Sequence, residues 1–323
     1  MLSPKTLGAI CEHYQLNSLV AEPQLLSTNS LHQAWRIQTI GEDYFLKKLN
    51  PAWLNYMPLE NYQKTEQIAQ HYVEQGLATI SAISQQNHYY FFYDKQGWLL
   101  YPWLKTHPLP IAELTLTHVE AVAKLLAQLH TSPQPTFYVQ PHYYLHELEW
   151  FVFLRAHQAK HIALASLLKE YEVLLVTVDY IAKTCLEYIN PSVVVHGDFS
   201  PQNILWQQHQ PLIIDWEFAY KTDPQVDLMA VLLDWCLHHP DQWLEEHAKV
   251  FLETYQAQRQ IKVQLNKQHF FVALLSWLAW LAFNIEQFLD AAPAQAEKIE
   301  AEIFNTLNSL EFVMSNQKLF YSS

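Results

Sequence analysis

Residues 193–217 read VVVHGDFSPQNILWQQHQPLIIDWE, and the rest of the chain takes its place around them. Two hydrophobic runs, Val193–Val195 and Leu212–Ile214, each end in a polar cluster that contains an aspartate. Asp198 and Asn203 share the first cluster, and Asp215 and Glu217 follow the second run. Short apolar runs bounded by turn residues read as buried strands, which puts these carboxylates at strand ends. Carboxylates with a carboxamide beside them suit a hard divalent cation carrying phosphates, because Mg²⁺ takes oxygen ligands and binds through one or two protein carboxylates plus phosphate oxygens. The remaining aspartate is then free to orient or deprotonate an attacking hydroxyl. This is the parts list of phosphoryl transfer.

The same residues carry a resemblance. HGDFSPQN resembles the H-G-D-x-x-x-x-N motif of the aminoglycoside phosphotransferase and choline kinase families, distant relatives of protein kinases. IIDWE resembles their I-D-x-E metal motif, and DPQVDL at 223–228 resembles the D-P-x-x-D-L segment that follows it. The match is tight over residues 193–228 and loose over most of the chain. It implies a protein-kinase-like bilobal α+β fold. Residues 1–103 would form a small β-rich nucleotide-binding lobe, and residues 104–323 a large, mostly helical lobe for catalysis and acceptor binding. Within it Asp198 would accept the acceptor's proton, Asn203 and Asp215 would hold Mg²⁺, and Glu217 would be a second-metal or water-mediated ligand. His196 would support the loop through hydrogen bonds, and Asp227 would brace it structurally.

Composition narrows the class. The chain has 323 residues, half of them hydrophobic, enough for one large domain or two lobes with a sizeable core. Its net charge of −13 argues against a nucleic-acid-binding surface and favours, weakly, a cationic small substrate. Three scattered cysteines, Cys11, Cys185 and Cys236, suit a reducing compartment better than a disulfide framework or a zinc site. The N-terminal stretch lacks the apolar run of a signal peptide. The longest apolar run, 270–283, is short for a bilayer span and reads as a core helix, so a cytoplasmic protein with no membrane insertion is expected. Neither GxGxxG nor GxxxxGK[ST] occurs, which excludes a Rossmann dinucleotide site and a Walker P-loop at motif level.

Taken in order, Pro4 suits the first turn of a short helix ending near Gln15. Trp35–Thr39 and Tyr44–Leu49 flank Gly41 as a hairpin, and the second strand ends in Phe45-Leu46-Lys47-Lys48. A lysine at that place can hold α- and β-phosphate oxygens, and the resemblance implies Lys47 for that role. A helix over 61–75, stopped by Gly76, carries Glu66 about where the family keeps the glutamate that pairs with the lysine; Glu60 competes for that role. A second hairpin spans His88–Tyr93 and Trp98–Trp103 around a turn at 94–97. The run Leu99–Leu104 then resembles the family's adenine hinge, with nucleotide contact falling to backbone groups around Pro102, namely at Tyr101 and Trp103. The phosphate-covering loop, 27–33, holds no glycine, which leaves nucleotide affinity and the choice between ATP and GTP open.

Beyond the hinge the pattern is helical: Leu114–His130, Tyr143–His157, Leu167–Tyr188, a helix from Asp223-Pro224, and the apolar 268–290. In the last of these, Trp277 and Trp280 share one helical face and could stack around a quaternary ammonium. The pair resembles the W-x-x-W helix of choline kinases, and Phe218 falls where those enzymes place a further aromatic wall. Packing into the core is the competing reading for both tryptophans. Three functions stay open: a choline- or ethanolamine-type kinase using ATP and Mg²⁺; a kinase of the same fold for an aminoglycoside, thiamine, a sugar or homoserine; and a non-catalytic nucleotide- or ligand-sensing relative.

Overall fold

The computed structural model describes residues 2–27, 32–51, 53–55, 57–139, 150–158, 162–238, 240–291 and 293–321. Most of the phosphate-covering loop (28–31) and the first half of the helix expected from Tyr143 lie outside the described residues.

Helix α1 (Pro4–His13) is started by the Ser3 hydroxyl, which accepts from the Thr6 N–H, and by proline in its first turn. The sheet that follows joins β1 (Gln24–Ser27), β2 (Gln33–Gln38), β3 (Asp43–Lys48), β4 (Tyr90–Tyr93) and β5 (Gln96–Pro102), antiparallel throughout, in the order β1-β2-β3-β5-β4. The second hairpin turns more tightly than the sequence suggests. Tyr93 pairs with Gln96, so Asp94 and Lys95 alone make the turn, both left-handed, which matches the twist of the flanking strands. Strand alternation decides where Lys47 points. Tyr44 and Leu46 join Ile10, Trp35, Ile37 and Trp98 in one cluster, so Phe45 and Lys47 face the other way, toward α2 (Leu59–Glu74). Gly76, with φ near +78°, closes α2 as expected.

Past β5 come β6 (His107–Pro108), α3 (Leu116–Thr131), α4 (Trp150–Gln158) and α5 (Ile162–Leu186). The catalytic stretch follows as β7 (Val193–Val195), β8 (Ile204–Gln207), β9 (Gln210–Ile213) and β10 (Tyr220–Thr222). Helices α6 (Pro224–Cys236), α7 (Glu245–Arg259), α8 (Lys267–Asp290) and α9 (Pro293–Ser315) complete the chain. Strand β8 was not expected; it forms a hairpin with β9 across Gln208, whose φ is +60°. The 268–290 run is one helix, as read. Among the described residues it alone is long and apolar enough to cross a membrane, and Phe270, Leu274, Leu278, Leu281 and Ile285 on it are buried against α5, α6 and α9.

The fold is the kinase-like bilobal α+β arrangement, and the two parts are tied at the strand that leads to Asp215. The Ile213 N–H donates to the Ala78 carbonyl (2.9 Å) and the Thr79 hydroxyl donates to the Ile213 carbonyl (3.0 Å). Trp216 donates from its indole to Thr79 (2.7 Å), and Tyr72 of α2 stacks on its ring. The second aspartate is thereby held by segments from both sides of the cleft.

Candidate active site

The loop after β7 is pinned from within. His196 is fully buried; its Nε2–H donates to the Ile214 carbonyl (2.9 Å), and its Nδ1 accepts the Asp198 N–H (3.3 Å). Burial pushes this imidazole below its usual range, with the Asp198 carboxylate opposing, so the neutral ring suits both bonds. Gly197 has φ near +81°, and a Cβ there would lie 2.0 Å from the Phe218 carbonyl oxygen, so only glycine fits. Asn203 Nδ2 donates to Asp198 Oδ2 (2.7 Å) and to the Asp198 carbonyl (3.0 Å), fixing the carboxylate's direction. Burial raises the Asp198 carboxyl, opposed by His196 and the hydrogen bonds from Ser200 and Asn203. A raised carboxylate aimed by a carboxamide is equipped to take a proton.

Asp215 itself is left-handed (φ +65°), a costly conformation for a residue with a side chain and one that clusters at functional sites. It turns its carboxylate to Lys47, whose Nζ lies 2.8 and 3.0 Å from Asp215 and 2.8 Å from Glu217. Burial would lower the ammonium, but the two carboxylates outweigh it and hold Lys47 above its usual range. Burial would likewise raise Glu217, yet Lys47 and His32 hold it below the usual carboxylate range.

The donor set fits a hard cation. Asp215 and Glu217 already converge on one positive centre, the Lys47 ammonium, and Asn203 keeps its carboxamide oxygen clear of the bond its nitrogen makes. Among the described residues no set of three His, Cys, Asp or Glu side chains could hold a metal, so a cation here would need further oxygens, from the Asn203 carboxamide and from phosphate, to fill its shell. Asp215 is the more open of the two carboxylates and Glu217 is buried, so Asp215 and Asn203 suit the ligand role better than Glu217.

Three expectations are altered. Glu66 makes no ion pair with Lys47; its carboxylate accepts from the Tyr101 hydroxyl (2.5 Å) and the Ala82 N–H (2.6 Å), and burial raises it to about 7. Glu217 takes the place beside Lys47 that Glu66 was expected to fill. At the hinge, the Trp103 N–H donates to the Asp43 carbonyl (3.0 Å) and its ring lies under Arg36, while the Tyr101 phenol is spent on Glu66. That takes the Trp103 N–H and leaves the backbone contact expected here to the other main-chain groups of these residues. Asp227 pairs with His130 of α3 (2.9 Å), which also bonds Tyr255 of α7. The brace on the catalytic loop comes instead from Trp235, whose indole donates to the Phe199 carbonyl (2.6 Å).

Four residues enter that the sequence reading passed over. His32 accepts the Asn50 N–H at Nδ1 (2.9 Å), so its Nε2 carries the proton toward Glu217 (2.9 Å), with the Tyr62 hydroxyl 3.2 Å away. Asp234 is half-buried on α6; desolvation first, and the Asp198 charge second, raise it to about 7, and the Trp277 indole donates to it across 3.4 Å. An aspartate inside the apolar run MAVLLDW was the signal that could have singled it out. Trp53 stands 5.9 Å from Phe218 and 4.8 Å from Phe283, ring centre to ring centre. On α8, Phe283 stacks with Trp280 (5.8 Å), and Trp280 is 40% exposed while Trp277 is half-buried. Trp280 is therefore not a core residue.

The comparisons agree with this geometry. The sequence profile of the phosphotransferase enzyme family matches residues 24–262. No curated protein matches the sequence. Among solved structures, a spectinomycin phosphotransferase with ADP and spectinomycin is similar at 15% identity and TM-score 0.71, covering 98% of this chain and 99% of its own. An amicoumacin kinase with AMP-PNP and Ca²⁺ is similar at 11% identity and TM-score 0.66, covering 94% and 92%. The choline kinase of Streptococcus pneumoniae is similar at 15% identity and TM-score 0.64, covering 94% and 99%. At these identities the structures speak for the fold, and the profile speaks for the family. The chain belongs to the phosphotransferase enzyme family.

Proposed function

We propose that the protein is an ATP- and Mg²⁺-dependent kinase that moves the γ-phosphoryl group onto the hydroxyl of a small cationic acceptor of the choline or ethanolamine type. The observation that carries the phosphoryl-transfer half is the two pairs Lys47–Asp215 and Asn203–Asp198, whose loops are tied by the Ile214 N–H donating to the Asn203 carbonyl (3.0 Å). The acceptor hydroxyl hydrogen-bonds Asp198, which takes its proton as the hydroxyl oxygen bonds the γ-phosphorus and the bond to the β-phosphate oxygen breaks, releasing ADP. Lys47 would leave its two carboxylates to neutralise phosphate oxygens. Asp215 and Asn203 would hold Mg²⁺, which when bound neutralises charge on the phosphates. Glu217, held by His32, keeps Lys47 in place.

The acceptor half rests on α6 and α8. Asp234 offers a half-buried, partly desolvated carboxylate and Trp280 an open aromatic face, two groups suited to receive an ammonium. A primary ammonium of an aminoglycoside would use the same carboxylate, and the similarity to the spectinomycin phosphotransferase keeps that second reading in play. The test is Mg·ATP turnover against choline, ethanolamine, thiamine, homoserine, a sugar and an aminoglycoside. Choline or ethanolamine should be preferred; preference for an uncharged sugar would overturn the cationic reading. Nucleotide binding with no turnover of any acceptor would support the sensing relative instead.

A further inference from the structure

His32 stands one residue before β2, beside the strand that carries Lys47: Gln33 pairs with Lys48, and Ala34 with Lys47. It is buried, as are Lys47 and Glu217. Its Nδ1 accepts the Asn50 N–H (2.9 Å), from the backbone just past β3, and its Nε2–H donates to Glu217 Oε2 (2.9 Å). The Lys47 ammonium lies 2.8 Å from that same oxygen. Glu217 comes from the turn after β9, so one oxygen of the large lobe joins an imidazole and an ammonium of the small lobe.

The burial of Glu217 gives the imidazole a purpose. Lys47 faces two carboxylates, and Glu217 is the one closed off from water. When phosphate oxygens draw the ammonium away, a Glu217 without His32 would keep the Tyr62 phenol but lose its charged partner. Leaving a buried carboxylate so poorly matched is costly, and that cost would hold Lys47 back. The His32 N–H stays on Glu217 and offsets it. Glu66 takes no part, since its carboxylate is committed to the Tyr101 phenol and the Ala82 N–H.

We propose that His32 is a positioning residue for the nucleotide: anchored on the backbone next to Lys47, it keeps Glu217 satisfied while Lys47 turns from the carboxylates to the α- and β-phosphates. The inference rests on the kinase reading above and deepens it, because the support of the lysine expected from Glu66 passes to His32 and Glu217. It also bears on the stretch 27–33, which offers no glycine backbone to phosphate. His32, near the end of that stretch, serves the phosphates through a side chain instead.

Isothermal titration calorimetry with ADP and with adenosine, both in EDTA, tests this without turnover or metal on wild type, His32→Ala, His32→Gln and His32→Asn. His32→Ala should weaken ADP by about tenfold, the loss of one charge-assisted contact. Adenosine, which has no phosphate for Lys47, should keep its wild-type affinity. Glutamine places a donor near the position of Nε2 and nothing at Nδ1; asparagine places an acceptor near Nδ1 and falls short of Glu217. His32→Gln should therefore recover most of the ADP affinity and His32→Asn little of it. The reverse order would make His32 a local anchor for the Asn50 backbone and overturn the inference. Equal loss for ADP and adenosine would overturn it too. If His32→Ala yields no soluble protein, the order of glutamine and asparagine decides alone. Wild type that binds ADP no better than His32→Ala does would sink this inference alone; wild type that binds neither ligand would sink the kinase reading and this inference together.

Discussion

The phosphoryl-transfer centre and the acceptor wall meet at Gly197 and Phe218 but are built in opposite ways. The centre comes from one short stretch plus a single distant lysine: Asp198, Asn203, Asp215 and Glu217 lie within twenty residues of sequence, and Lys47 reaches in from β3. Each of its side chains is held by at least one bond of ordinary hydrogen-bond length. The wall proposed for the acceptor draws on Phe218, Asp234 and Trp280, from one turn and two helices, and is held by ring contacts to Trp53 and Phe283 and one long hydrogen bond. Fixed charge geometry serves the transfer of a phosphoryl group, which is the same for every acceptor. A softer aromatic surface is where acceptor choice can vary without disturbing the chemistry.

That contrast is open to direct attack. Changes in the centre should remove turnover with every acceptor, and changes in the wall should discriminate among acceptors. The largest effect is expected from Asp198→Asn, which should cut kcat by about 100- to 10,000-fold while thermal denaturation stays near wild type. Retention of near-normal kcat would dissolve the assignment of the base. Next, Gly197→Ala forces a Cβ into the Phe218 carbonyl at a left-handed position and should destabilise the protein by about 1–3 kcal/mol, read as a lower Tm or loss of soluble protein. A neutral outcome would mean that the catalytic loop and Phe218 are not locked together.

Asp234→Asn should raise the choline KM by about 10- to 100-fold and leave that of its uncharged isostere, in which carbon replaces nitrogen, little changed. The pH dependence follows from the same group. Its folded-state value, about 7, lies above that of an unfolded aspartate, so the side chain is neutral below neutrality and ionised above it. The choline KM should therefore fall as pH rises through 7 in wild type and be flatter in Asp234→Asn. The sign reverses for ligand-free stability, where the contribution of Asp234 is lost as pH rises toward 7. The smallest effect is expected at the join of the lobes. Glu217→Gln keeps shape but removes charge from between Lys47 and His32, and should lower stability by about 1–3 kcal/mol and raise the KM for ATP. An unchanged KM for ATP would mean that the Glu217 charge does not hold Lys47 for the nucleotide.

The same contrast explains what the sequence revealed. The centre was legible because its residues are close in sequence and chemically unusual: an aspartate and an asparagine after a valine run, and a second aspartate after another. The hairpins and α2 were legible because strand alternation and glycine stops are local signals. The pairing of Lys47 was not. Glu66 and Glu217 are both carboxylates within reach of β3, and only the packing of Tyr101 against Glu66 decides between them. Likewise Trp53 and His32 lie in segments with no periodicity, and their roles depend on partners more than 150 residues away, Phe218 and Glu217. Strand pairing at the hinge was equally hidden, since the bond from Trp103 to Asp43 depends on register and not on composition.

The measurement that bears most directly on the central claim is phosphorus NMR of the products formed from Mg·ATP and choline by wild type and by Asp198→Asn. The account predicts one equivalent of phosphorylated choline for each ADP in the wild-type reaction and neither product above background in the variant. ADP formed without a phosphorylated acceptor, or equal product from both proteins, would contradict it.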